Sequence, residues 1–188
     1  MDSWSVWCSQ SLPSSAVANT NHSPKIVLLT GVSGSGKSTI GKLLSAKLKW
    51  PFYDGDDFHP PSNIKKMATG IPLTDEDRWP WLKNLKQKIA EEVAANQNAI
   101  FACSALRQIY RDFLTSDLPQ VKIIYLSGTP ETLTERLRKR RNHFMRTEML
   151  ASQLVTLEEP NDALTIDIAQ SPESIVTEIC RELIEPST

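Results

Sequence analysis

No stretch of this 188-residue chain stays apolar for the roughly 18 positions that a membrane-spanning helix needs. Cysteine is scarce: Cys8, Cys103 and Cys180 lie far apart, with no C-x-x-C pair and no metal-ligand spacing. That excludes a disulfide framework and points to a reducing setting. Neither sign of charge is in excess. Lys and Arg number 21 against 22 Asp and Glu, so no global field draws the chain to nucleic acid or to a membrane, and any charge-driven function is local.

Basic residues are also missing from the start of the chain, where none precedes Lys25. MDSWSVWCSQSLPSSAVANTNHS thus lacks the basic front of a secretory signal and the arginines of a transit peptide. We read residues 1–23 as a disordered tail; its abundant Ser and scarce acid leave organelle targeting open.

Residues 24–188 have the length of one domain. In them short apolar runs such as KIVLLT, AIFAC, VKIIYL and LTIDI alternate with amphipathic stretches such as IGKLLSAKLKW and WLKNLKQKIAEEVAAN. The runs show little polar alternation, as strands covered on both faces do. The expected fold is α/β: a five-stranded parallel sheet, with strands near 25–30, 51–53, 99–103, 121–126 and 164–168, and helices on both faces. Thr74 to Asp77 carries a capping-box pattern, Pro80 suits a first helical turn, and Pro130 and Pro172 fall near helix starts.

Between the first strand and first helix stands GVSGSGKS, residues 31–38, which fits G-x-x-x-x-G-K-[ST] at every fixed position. Gly31, Gly34 and Gly36 let the backbone turn its N–H groups inward, with Ser33 and Ser35 between them, and the helix that follows offers its positive end to phosphate. Lys37 suits the β- and γ-phosphates of a nucleotide, the Ser38 hydroxyl a Mg²⁺ ion, and Thr39 the α-phosphate. No N-K-x-D guanine signature occurs, and no apolar strand ends in an Asp-Glu pair. Both absences favour a small-molecule kinase over a GTP switch or an ATP-driven machine.

The second strand runs into YDGDDFHPPSNIKKM, residues 53–67. Ligands of open α/β sheets bind beyond the carboxyl ends of the strands, so this stretch should open beside the phosphate loop. With the backbone extended, Asp54 and Asp56 share a side and Asp57 faces away. We assign Asp54 to the metal and Asp56 to orienting the attacking hydroxyl.

YDGDDFHPPSNIKKMATGIPLTDEDRWPWL, with GVSGSGKST before it and SALRQIYRD after it, resembles the small P-loop gluconokinases from about Lys25 to Ile184. The resemblance implies the fold of nucleoside monophosphate and shikimate kinases. It implies ATP with Mg²⁺, transfer to the C6 hydroxyl of D-gluconate to feed the pentose phosphate route, and a cytoplasmic homodimer without nucleic-acid or membrane partners. A sugar acid needs polar side chains for its hydroxyls and a planar cation for its carboxylate. His59, Asn63 and Lys66 suit the first task, Arg78 and Arg107 the second, while Trp79 and Trp81 read as packing.

ERLRKRRNHFM, residues 135–145, holds five basic residues within 136–141. Alone it reads equally as a nucleic-acid patch. The family's fold makes it part of a mobile lid, about 140–155, in which Arg136 and Arg140 neutralise phosphate charge and His143 and Gln153 meet substrate on closure. Arg138, Lys139 and Arg141 are then solvated. Leu154 departs from a commonly aromatic position of the family. The competing readings are a kinase of shikimate or a nucleoside monophosphate, and a nucleotide-binding module that contacts RNA.

Overall fold

The computed structural model describes residues 23–139 and 147–184. The expected tail falls outside them except for Ser23, as do Arg140, Arg141 and His143. Among the described residues no helix is long and apolar enough to cross a membrane.

Five strands form one parallel sheet in the order β2-β3-β1-β4-β5: β1 Ile26–Thr30, β2 Phe52–Asp54, β3 Ala99–Ala102, β4 Val121–Ser127 and β5 Leu164–Asp167. The helices between them are α1 Lys37–Leu48, α2 Pro61–Ala68, α3 Asp75–Ala94, α4 Gln108–Thr115, α5 Pro130–Lys139, α6 Thr147–Thr156 and α7 Pro172–Ile184. Every residue of β1 is buried, because both of its faces are covered. Val27 and Leu29 pack into the core beneath α1, α5 and α7, whereas Ile26 and Leu28 pack into the core beneath α3 and α4. This explains why the strand reads as an unbroken apolar run.

The chain leaves β1 for the sheet edge, returns to lie beside it as β3, then crosses to its other side as β4. The carboxyl end of β1 is therefore the topological switch point. Residues 31–36 cross that point.

Two local expectations change. The chain does not stay extended after Asp54 but enters a single 3₁₀ turn, Gly55–Phe58, and Asp54 caps it by accepting the Asp56 N–H at 3.3 Å. A short acceptor side chain ahead of a turn competes with strand geometry in this way. The capping box of Thr74 and Asp77 is present and starts α3 at Asp75, which puts Pro80 in the second turn and not the first. Proline lacks the N–H that this position would donate, and α3 continues through it to Ala94. Pro130 and Pro172 do open α5 and α7.

Gly55 marks the closest approach of this turn to β3: a Cβ there would lie 2.5 Å from the Ala102 carbonyl oxygen. Gly55→Ala must therefore push the turn off β3, at a cost of about 1–3 kcal/mol. Thermal unfolding of the variant should show the corresponding fall in Tm.

Candidate active site

The phosphate loop owes its shape to positive φ at Gly31, Gly34 and Gly36, the last serving as the N-cap of α1. No side chain caps this helix and no acid stands in its first turn, so its leading N–H groups and positive end remain suited to an anion. The Lys37 ammonium donates to the carbonyls of Gly31 and Val32 at 2.8 and 3.2 Å, folded back across the loop. Ser35 is fully buried and its backbone N–H donates to the Val32 carbonyl, closing a tight turn within the loop.

A cavity of about 670 Å³ opens on one side of the loop. Ser33, Gly34, Gly36, Lys37 and Ser38 line it together with Asp54, Asp56, His59, Arg78 and Gln153. A smaller cavity of about 240 Å³ is lined by Gly34 and Gly36 of the loop, Thr39 of α1, and Arg136, Lys139, Pro172 and Ile175. Gly34 and Gly36 border both. The loop thus borders two cavities of unequal size.

Ser38 Oγ donates to Asp54 Oδ2 at 2.6 Å, so a hydroxyl and a carboxylate oxygen sit together beside the loop. Mg²⁺ in nucleotide sites takes one or two protein oxygens and completes its octahedron with waters and phosphates. This pair fits such an ion; among the described residues there is no cluster of three or more His, Cys, Asp or Glu that would serve as an all-protein cage. Asp56 is exposed to the same cavity, and Asp57 does not line it.

His59 is buried, its ring stacked on the indole of Trp81 with centroids 4.3 Å apart. Burial, with the charge of Arg78 nearby, lowers its pKa to about 4, so it is neutral at neutral pH. Trp81 donates its ring N–H to the Gly55 carbonyl at 2.6 Å and belongs to the core while also lining the cavity. Trp79 meets Tyr110 and Phe113 edge-on, as the packing assignment expects.

The other expected residues divide. Arg78 lines the cavity and donates to Asp75 at 2.9 Å. Arg107 stands behind it, paired with the same Asp75 and with Glu158. Asn63 is buried behind His59. Lys66 grips the Asp77 carboxylate at 2.7 Å, which ties α2 to the start of α3 and turns the ammonium to a structural partner. Gln153 Oε1 accepts the Ser33 N–H at 2.7 Å, hydrogen-bonding α6 to the phosphate loop. Arg136 donates to the Ile168 carbonyl, its other terminal nitrogen 3.6 Å from where a Gly36 Cβ would lie. Arg138 and Lys139 are exposed, the latter paired with Glu135, and Leu154 packs on the core.

Asp75 was not singled out in the sequence. It accepts from Arg78, Arg107 and the Tyr110 hydroxyl. The Tyr110 hydrogen bond, then the charges of Arg107 and Arg78, hold its carboxyl below the usual carboxylate range. The acid run at the head of α3 was its only signal, and capping accounts for that run equally well. Cys103 also lines the cavity, but burial pushes its thiol up to about 12, which removes it as a nucleophile.

Residues 33–184 match the family model described as shikimate kinase. The chain is 42% identical over 164 residues to the thermoresistant gluconokinase of Escherichia coli (strain K12), covering 85% of this chain and 94% of that protein. A gluconokinase from Sinorhizobium meliloti 1021 superposes with a TM-score of 0.76 at 41% identity, over 86% of this chain and 93% of that one. A sugar kinase from Janibacter sp. HTCC2649 superposes with a TM-score of 0.79, also at 41% identity, over 86% and 95%. A family match over most of the chain, with relatives at this level of identity and coverage, places the chain in the shikimate kinase family, among its gluconokinases.

Proposed function

We propose that the protein is a gluconokinase that transfers the γ-phosphate of ATP to the C6 hydroxyl of D-gluconate, supplying 6-phosphogluconate to the pentose phosphate route as a cytoplasmic homodimer. The observation that carries the reaction is the phosphate loop standing between two cavities, with Ser38, Asp54 and Asp56 on the side of the larger one. The relatives' names carry the substrate.

ATP enters with its phosphates in the loop and its base toward the smaller cavity by Arg136 and Pro172. The loop N–H groups and Lys37 hold the phosphate charge. Asp56 receives the hydrogen bond of the attacking hydroxyl and aims its oxygen at phosphorus; a loose transition state asks for aim more than for a strong base. Mg²⁺, when bound at Ser38 and Asp54, neutralises charge on the phosphates. Arg78, steadied by Asp75, meets the substrate carboxylate, with Arg107 behind it. Arg136 draws off charge at the nucleotide side, and Arg140 and His143 join it in a lid of residues 140–155 that excludes water. The Gln153 to Ser33 hydrogen bond supports that placement of α6.

An ADP-release assay over sugar acids, polyols, shikimate and nucleoside monophosphates should show gluconate as the preferred acceptor; turnover of shikimate or a nucleotide with none of gluconate would refute the assignment. Asp56→Asn should lower kcat by about 100-fold with little change in KM for ATP, whereas Lys37→Ala should impair both constants. Asp75→Asn removes the charge that positions two guanidiniums. It should raise KM for gluconate about tenfold while KM for ATP stays within about twofold, as steady-state kinetics with each substrate varied will read.

A further inference from the structure

Asn63 stands next to the larger cavity without lining it, and is 2% exposed. Its side-chain nitrogen lies 2.7 Å from the Asp77 carbonyl oxygen and 3.3 Å from His59 Nδ1. A backbone carbonyl can only accept, so the NH₂ end of the amide must face Asp77. One hydrogen of that NH₂ serves the carbonyl and the other points at Nδ1. An imidazole nitrogen that receives a hydrogen bond carries a lone pair, so the single proton of the uncharged ring resides on Nε2.

The ring is not at liberty to choose otherwise. It stacks on Trp81 with an interplanar angle of 16°, and Trp81 is itself pinned to the Gly55 carbonyl. Turning the ring over would set a carbon against the Asn63 amide and leave a buried donor unpaired, at a cost of about 1–3 kcal/mol. Asp77, in turn, is fixed as the third residue of α3 by the capping box and by Lys66. The chain of constraint runs from a helix start, through one buried amide, to the single proton of the His59 ring.

We propose that Asn63 is a positioning residue that makes His59 a pure Nε2–H donor, so that His59 gives a hydrogen bond to an oxygen of the sugar-acid acceptor and takes no proton from it. This rests on the reading of the larger cavity as the acceptor site. It separates roles in that cavity: the Asp56 carboxylate can only accept, and His59 and Arg78 can only donate. A substrate with a hydroxyl to give and a carboxylate to offer is then oriented by the polarity of its contacts.

Long-range ¹H–¹⁵N NMR on the ¹⁵N-labelled full chain reads the His59 tautomer without any substrate. The Nε2–H form is expected in the wild type, and an Nδ1–H form there would overturn the proposal outright. In Asn63→Asp the carboxylate cannot donate, so the proton should move to Nδ1 and KM for gluconate should rise about tenfold, with KM for ATP within about twofold. His59→Phe removes the Nε2–H donor and should itself raise KM for gluconate about tenfold; adding Asn63→Asp to it should raise KM no further. An equal rise in both backgrounds would show that Asn63 merely supports the fold and would defeat the proposal. Failure of the wild type to use gluconate would instead strike the substrate reading alone, the tautomer still deciding what Asn63 does.

Discussion

The two halves of the site meet at the 2.6 Å hydrogen bond from Ser38 Oγ to Asp54 Oδ2. Ser38 belongs to the first turn of α1 and Asp54 to the last position of a three-residue edge strand, so the contact holds only if the sheet register holds. Asp54 pairs with Ala102 of β3, and Ala102 pairs with Leu29 of β1, which sets the acid level with the strand end from which the phosphate loop departs. A slip of one residue in β2 would turn Asp54 to the opposite face. Placement of the Ser38–Asp54 pair, of the 3₁₀ turn after it and of Asp56 all follow from that register.

Around this seam the charged side chains hold one another in place more than they face outward. Asp75 gathers two arginines and a tyrosine, and Asp77 gathers a lysine while it caps α3. Arg111, 1% exposed, donates to the carbonyls of Ala105 and Leu106, steadying a loop in which Ala105 takes φ of +36°. That loop leads directly into Arg107. The larger cavity is thus lined by polar groups that a second layer of polar groups holds in direction, as a site that must aim a reacting group requires.

Much of this was legible from sequence. The phosphate loop depends on glycines and a lysine within eight positions, the strands on local apolar runs, and the capping box on residues three apart. What the sequence did not show is which partners the polar side chains take inside the fold. Lys66, read as a substrate ligand, pairs with Asp77, and Asn63, read as another, meets His59 and the Asp77 carbonyl. Asp75 passed for a helix-start acid because Arg107 and Tyr110, more than thirty positions on, give it its second role. Asp54 and Asp56 were grouped for the wrong reason: they reach one cavity through a turn, not along an extended strand.

By itself, the sequence determined the class of fold, the place of the phosphate cradle and the presence of acids beside it, since these rest on short-range periodicity and backbone freedom. Tertiary structure decided which polar residues face the cavity and which stand behind them. A hydrogen bond has direction and finite capacity, so what a polar side chain can offer a ligand depends on the partners it already holds, and only the packed fold shows which partners those are.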